Sequence, residues 1–312
     1  MEVFAPAKIN FYLRIRGKRA DGFHELDTVM VPVSLYDRLV IEPAKELIMS
    51  CSDSSLPTDD SNLVMKAARK LAQVSGCTQG ASIHLEKNIP HGGGLGGGSS
   101  DAASVLMALN SFWKLGLTRE QLFPIAAQLG SDVAFFLWGG WCRCLGRGEI
   151  VEPFPPDRTP EPLRIFLIIP PWPVPTPPVY KALKAPAFDS NLTIEPLTVC
   201  ADTVIKAIST TRYRTSQLDW QDNGLTDAAQ NVEPRLLELT HCLEELFPGR
   251  WRMSGSGAVH FVLPDDNQKA TETEAVLQRK LTQPVRVLEA VTTASSYENY
   301  GNQNKAVPTQ RR

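Results

Sequence analysis

Residues 91–100 read HGGGLGGGSS, with six glycines in seven positions. The stretch ASIHL before them alternates apolar and polar residues as a strand does. After them, DAASVLMALNSFWKL places Ala102, Leu106, Leu109 and Trp113 on one helical face. The chain must therefore pass from strand to helix through a loop that carries almost no side chains. Glycines let backbone amides approach an anion closely, and a helix N-terminus adds unpaired N–H groups and partial positive charge. Such a loop suits a di- or triphosphate, with Ser99, Ser100 and Asp101 expected at the helix start. A flexible linker is the alternative, but linkers seldom join a strand to an amphipathic helix. Gly92, Gly94 and Gly97 also fit G-x-G-x-x-G, yet the acidic residue expected about 20 positions later at a strand end is missing, because Glu120 falls at a helix start. No G-x-x-x-x-G-K-[ST] occurs, which excludes a Walker phosphate loop.

Composition narrows the class of protein. Thirty-two basic residues against 34 acidic ones give a net charge of −2, with no global positive field to hold a nucleic acid. The longest strongly apolar run, Leu163–Ile169, is far shorter than the roughly 20 residues that span a bilayer, and the N-terminus lacks a signal-like pattern. A cytoplasmic protein with no membrane partner is expected. The six cysteines are spread without zinc-site or disulfide spacing, so reduced thiols are expected. Cys142 and Cys144, two apart on a strand-like run, fit ordinary packing on one face as well as a ligand fragment.

Periodicity supplies the organisation. Ile9, Phe11, Leu13 and Ile15 alternate with Asn10, Tyr12, Arg14 and Arg16, which predicts a half-buried first strand ending in the turn GKRADG. TVMVPV and DRLVIEP read as two further strands, Ser50–Ser61 as a loop, and Leu63, Val64, Ala67, Ala68 and Leu71 as a helix face. Thr118 and Gln121 form a capping box for a helix ending at Gly130, and Ser131–Asp132 fits a second cap. The apolar run from Val133 to Cys144 is expected to be buried. Eleven of 24 prolines lie between Pro153 and Pro178, a composition shift that places a domain boundary near residue 157. Beyond it, Arg235–Leu246 and Lys269–Leu281 look helical, while LRIFLII, RWRM, VHFVL and VRVLEAV look like strands. The expectation is an α+β chain with domains at 1–157 and 158–291 and a polar, disordered tail at 292–312.

A second glycine turn, MSGSGAVHF (Met253–Phe261), fits a hairpin or a phosphate-facing nest equally well. Taken together, PAKINFYLRIRGKRADGFHEL, PHGGGLGGGSSDAA and MSGSGAVHF resemble, in order and spacing, the three motifs of the galactokinase, homoserine kinase, mevalonate kinase and phosphomevalonate kinase (GHMP) superfamily. Within it, P-A-K-I-N followed by R-x-D-G-[FY]-H, and the long glycine loop, are most similar to the 4-diphosphocytidyl-2-C-methyl-D-erythritol kinase family. The resemblance covers roughly residues 2 to 290.

What the resemblance implies is a two-domain GHMP-kinase fold, with a ribosomal-S5-domain-2-like N-terminal domain and a ferredoxin-like C-terminal domain. It also implies transfer of the ATP γ-phosphoryl group, with Mg2+ accompanying ATP, to the 2-hydroxyl of a substrate bearing cytidine diphosphate. Asp132 matches the family's catalytic aspartate and Lys8 its lysine partner. Pro90, His91, Gly92, Gly93, Gly94, Leu95, Gly96, Gly97, Gly98, Ser99 and Ser100 would hold ATP, with Asn62 and Lys87 bordering the adenosine. Phe23 and Tyr180 match the aromatic pair enclosing the base, His24 the group bonding its polar edge, and Asn10 a contact to the erythritol part. Taken singly, Asp132 also fits a helix cap, Phe23 and Tyr180 core packing, and His24 a structural histidine. Metal ligands are not assignable, and monomer and homodimer both stay open.

Three positions depart from the family pattern. Phe23 stands where tyrosine is common, His91 where an apolar residue is expected, and NGLTDAAQNVEP from Asn223 where a compact N-D-[LF]-E sequence is expected. Another GHMP alcohol kinase and a catalytically inactive nucleotide-binding regulator are the alternatives. Intact Lys8 and Asp132 weigh against the regulator.

Overall fold

The computed structural model describes residues 1–191, 193–209, 223–265 and 267–293. Most of the expected tail, from residue 294, lies outside them.

The first sheet is built on one long antiparallel hairpin, β1 (Glu2–Lys18) and β2 (His24–Glu42). TVMVPV and DRLVIEP are thus one strand, because Ser34 and Leu35 are taken up as extra residues opposite the Pro6–Ala7 step. On its other side β2 pairs with two partners in turn. Its first half meets β5 (Cys142–Gly146), which carries β6 (Ile150–Pro153), and its second half meets β4 (Ala81–Glu86). A short strand, β3 (Leu47–Cys51), lies parallel to β4. It replaces the start of the loop expected from Ser50, and its half-exposed residues leave too little apolar alternation to announce it. Helices α1 (Leu63–Ser75), α2 (Gly97–Phe112), α3 (Arg119–Leu129) and α4 (Val133–Trp138) pack against this sheet. The Thr118–Gln121 capping box forms as expected.

The second sheet contains β7 (Arg164–Ile169), β8 (Trp251–Met253), β9 (His260–Val262) and β10 (Arg286–Val291). Its order is β10-β7-β9-β8, all antiparallel, the fourth-first-third-second arrangement of a ferredoxin-like sheet. Helices α5 (Thr176–Ala182), α6 (Leu197–Ser209), α7 (Thr226–Val232), α8 (Arg235–Leu246) and α9 (Ala270–Lys280) accompany it. Among the described residues no helix is long and apolar enough to cross a membrane, and all six cysteines are free.

The half-buried first strand needs correction. Residues Ala5–Leu13 are all buried, because β1 has the first core on one side and a core shared with the second sheet on the other. In that shared core Ile9 and Val31 meet Ile165, Leu167 and Phe261, and burying each such side chain contributes roughly 1.5–3 kcal/mol. The alternation also breaks where a register shift between Asn10 and Tyr12 makes Phe11 an extra residue. Leu13 therefore joins Lys8 and Asn10 along one cavity, and Tyr12 turns inward to donate to Asp27 at 2.8 Å.

The second glycine turn meets the first glycine loop across the two sheets. Gly94 has φ +79°, and a Cβ there would overlap the Ser254 carbonyl oxygen. At Gly98 a Cβ would meet nothing within 4 Å. Gly94→Ala should therefore lower stability by about 2 kcal/mol or more. Gly98→Ala should match or exceed the parent, by up to about 1 kcal/mol from helix propensity. Urea denaturation of the three proteins checks this contrast, and equal midpoints for Gly94→Ala and the parent would contradict it.

Candidate active site

Lys8 and Asn10 stand two apart on β1 and face the same side. Lys8 is 3 % exposed. Its Nζ donates to Asn10 Oδ1 at 2.6 Å and lies 3.7 Å from Asp132 Oδ2. Asn10 is fixed in turn, since its Nδ2 donates to Thr28 Oγ1 at 2.9 Å. Asp132 sits immediately before α4 with helical backbone angles, and its carboxylate makes no cap hydrogen bond. The capping alternative is therefore not realised, and the side chain turns to Lys8 instead. Burial holds Lys8 below the ordinary lysine value, and the charge of Asp132 works against that shift.

Beside this pair runs the glycine loop. Gly92, Gly94 and Gly96 have φ of 67°, 79° and 69°. Space, as much as conformation, selects glycine here. A Cβ at Gly92 would lie 2.8 Å from Pro173 Cβ, and one at Gly93 2.8 Å from Val259 Cγ2. The loop is tied to the second sheet's segments by Val174 N–H to Gly92 O (3.1 Å), Val259 N–H to Gly93 O (3.1 Å) and Ser254 Oγ to Gly94 O (2.9 Å). It is tied to β1 by Lys8 N–H to Leu95 O at 2.9 Å. Helix α2 begins at Gly97, two residues before the serines expected at its start. The first-turn amides of Gly97, Gly98 and Ser99 have no intrahelical acceptor, and the space at Gly98 leaves them open to the cavity. Ser99 lines that cavity. Ser100 does not: it is wholly buried, and its hydroxyl has no partner.

The cavity has a volume of about 990 Å³ and is walled by both halves of the chain. Lys8, Asn10 and Asp132 form one part, Pro90 through Ser99 a second, and Phe23, His24 and Tyr180 a third. Within the third part, His24 packs on Tyr180 with ring centroids 5.2 Å apart and planes at 37°. Phe23 is 51 % exposed and has the Arg147 guanidinium 4.9 Å from its ring centroid. Burial, and then the charge of Lys18, lowers His24, which favours a neutral imidazole at neutral pH. Asn62 and Lys87 also line the cavity, but both are engaged. Asn62 Oδ1 accepts from Val64 N–H at 2.9 Å as the cap of α1, and Lys87 is ion-paired with Asp37 and Asp101. His91 is exposed and 3.7 Å from Asp53.

Sequence reasoning did not single out several of the lining residues. Arg147 and Gly148 come from the turn after β5, and LGRGE carries only a generic turn signal. Ser256 and Thr176 meet at 2.8 Å between their hydroxyls. Asn223, flagged only as a departure, is buried and braces the second glycine turn. Its Nδ2 donates to Met253 O at 2.8 Å and to Gly255 O at 2.6 Å. No group of three or more His, Cys, Asp or Glu that could hold a metal ion occurs among the described residues.

The family model "GHMP kinases N terminal domain" matches residues 62–140, which include the glycine loop. A 4-diphosphocytidyl-2-C-methyl-D-erythritol kinase of Chloroherpeton thalassium is 37 % identical over 278 residues, covering 89 % of this chain and 94 % of the relative. The chain belongs to the 4-diphosphocytidyl-2-C-methyl-D-erythritol kinase family. A Synechococcus sp. (strain CC9605) kinase of the same name is 48 % identical over 169 residues, an alignment spanning 53 % of this chain and 54 % of the relative. The crystal structure of a 4-(cytidine 5'-diphospho)-2C-methyl-D-erythritol kinase aligns with a TM-score of 0.72 at 33 % identity, covering 94 % of this chain and 99 % of that one. A homoserine kinase from Cytophaga hutchinsonii aligns with a TM-score of 0.67 at 18 % identity, covering 95 % of each chain, and shares the fold. The α+β, two-domain GHMP kinase fold expected from the motifs is the fold of this chain, and the family is one of kinases acting on an alcohol group.

Two titrations test the electrostatics of this family member. Asp132→Asn removes a charge that raises Lys8, so the lysine should titrate at lower pH than in the parent, read from the Cε resonance of labelled lysine. An unchanged titration would contradict the coupling. Burial, then repulsion from Asp37, pushes Asp101 up to about 8, with Lys87 opposing. A carboxyl raised in the folded state contributes stability that is complete below about pH 4 and is lost as pH rises to about 8. Melting temperatures from pH 5 to 9 should therefore fall more steeply for the parent than for Asp101→Asn, and parallel curves would contradict the shift.

Proposed function

We propose that this chain transfers the γ-phosphoryl group of ATP to the 2-hydroxyl of 4-diphosphocytidyl-2-C-methyl-D-erythritol, a step toward isoprenoid precursors. The observation that carries the reading is the Lys8–Asp132 pair, 3.7 Å apart, in one cavity with the open N-terminus of α2. The helix amides and glycine loop suit the phosphates, while the recess with Phe23, His24 and Tyr180 suits a pyrimidine. Stacking on such rings is worth roughly 1–3 kcal/mol per base.

Asp132 accepts the proton of the 2-hydroxyl as its oxygen attacks the γ-phosphorus. The new O–P bond forms as the bond to the β-phosphate oxygen breaks, and ADP departs with that electron pair. Lys8, anchored by Asn10, keeps a positive charge near the attacking oxygen and orients the carboxylate. Neutral His24 offers one donor and one acceptor to a base edge. Mg2+ would accompany ATP and offset charge on its phosphates. One chain walls the whole cavity, which suits a monomer or a homodimer with independent sites, and free cysteines suit the cytoplasm. The Lys8–Asp132 cleft lies between domains we place at 1–157 and 158–291.

Purified protein with ATP, Mg2+ and the cytidylylated alcohol should release ADP, and mevalonate, homoserine and galactose should not substitute. Turnover with one of those three and none with the named alcohol would overturn the assignment. Asp132→Asn should lower kcat by about two to four orders of magnitude while ATP still binds. His24→Ala should raise KM for the cytidylylated alcohol and leave KM for ATP unchanged.

A further inference from the structure

Asp37 lies on β2, is fully buried and does not line the cavity. It nevertheless holds the segment that enters the glycine loop at three points. Its Oδ1 accepts the backbone N–H groups of Asn88 at 2.6 Å and Ile89 at 2.8 Å, and its other oxygen pairs with Lys87. Lys87 Nζ also donates to Asp101 Oδ2 at 2.8 Å, and Asp101 belongs to α2, the helix that leaves the loop. The same ammonium and the Ile89 side chain press on the helix start: a Cβ at Gly97 would lie 3.2 Å from Lys87 Nζ and 3.0 Å from Ile89 Cγ2. Entry and exit limbs of the loop are therefore joined at their base through one lysine held between Asp37 and Asp101.

The surroundings suit a committed brace rather than a mobile ligand arm. Lys87 has a side chain only 7 % exposed, and Asp37 and Asp101 have almost none of theirs in solvent. Burying a cation is unfavourable unless opposite charges and hydrogen bonds surround it, and removing one partner leaves the others uncompensated. We propose that Asp37 is a positioning residue for nucleotide binding, which acts through Lys87, Asn88 and Ile89 to fix the glycine loop against the N-terminus of α2. The inference rests on the reading of that loop as the seat of the ATP phosphates.

Nucleotide binding without the alcohol provides the test. ATP affinity, measured by calorimetry on the parent, Asp37→Asn, Lys87→Met and the double variant, should fall about ten- to a hundred-fold in Asp37→Asn, as expected for displaced binding groups. Steady-state assays of Asp37→Asn should show the loss in KM for ATP, with kcat at saturating ATP and KM for the alcohol little changed. The double variant, which neutralises both partners, should lose less than the two single losses combined. Folding is checked by circular dichroism, and if a single variant does not fold, the double variant decides by retaining weakened ATP binding. Parent-like ATP affinity in folded Asp37→Asn, or in the double variant, would overturn the proposal. Failure of the parent itself to bind ATP would instead remove the reading of the loop.

Discussion

An ammonium group almost wholly removed from water sits at the junction of β1, the glycine loop and α4. Isolated, the Lys8 charge would be strongly disfavoured. It persists with Asn10 Oδ1 at 2.6 Å and Asp132 Oδ2 at 3.7 Å, and each of those acceptors is fixed by a different part of the fold. Asn10 depends on the bond to Thr28 across the hairpin, and Asp132 on the turn between α3 and α4. The Lys8 backbone amide meanwhile holds Leu95. One buried charge thus links strand pairing, helix placement and loop position, so the geometry of the pair cannot change without disturbing all three.

Phosphoryl transfer asks more of positioning than of reactive side chains. The structure distributes that task between rigid backbone and few charges. Amides at the start of α2 are held by a loop whose glycines touch Pro173, Val259 and Ser254, so the second sheet presses the loop into shape from outside. Elsewhere along the cavity the wall is more open: Phe23 is half in solvent, with the Arg147 guanidinium over its ring. The glycine-loop end is closely packed, whereas the aromatic end keeps a ring half in solvent.

Features carried by local pattern were legible in the sequence. The strand, glycine loop and helix around residue 95, the capping box at Thr118 and the strands of the second sheet all appear where short-range periodicity placed them. Lys8, Asp132 and His24, which the family resemblance singled out, line one cavity. What escaped depended on partners remote in the chain. The extra residue at Phe11 breaks the alternation that the sequence shows cleanly, because strand register is set by β2 and not by β1 alone. Glycines expected to admit an anion are in part required by the Ser254 carbonyl, 160 positions away from Gly94. The contact of His24 with Tyr180 joins residues 156 positions apart and carried no sequence signal. Asp37 carried no signal at all, since a lone aspartate in a strand looks the same whether solvated or buried beneath a loop.

The bond from the Asn10 amide to Ser254 Oγ joins residues 244 apart. During synthesis the first strand leaves the ribosome long before Ser254 exists, so the glycine loop spends most of translation without the surface that shapes it. Local helices can form early, but contacts of such separation in sequence come late and slow the overall process. A nascent chain of this design therefore keeps the apolar face of β1 uncovered until its final quarter emerges.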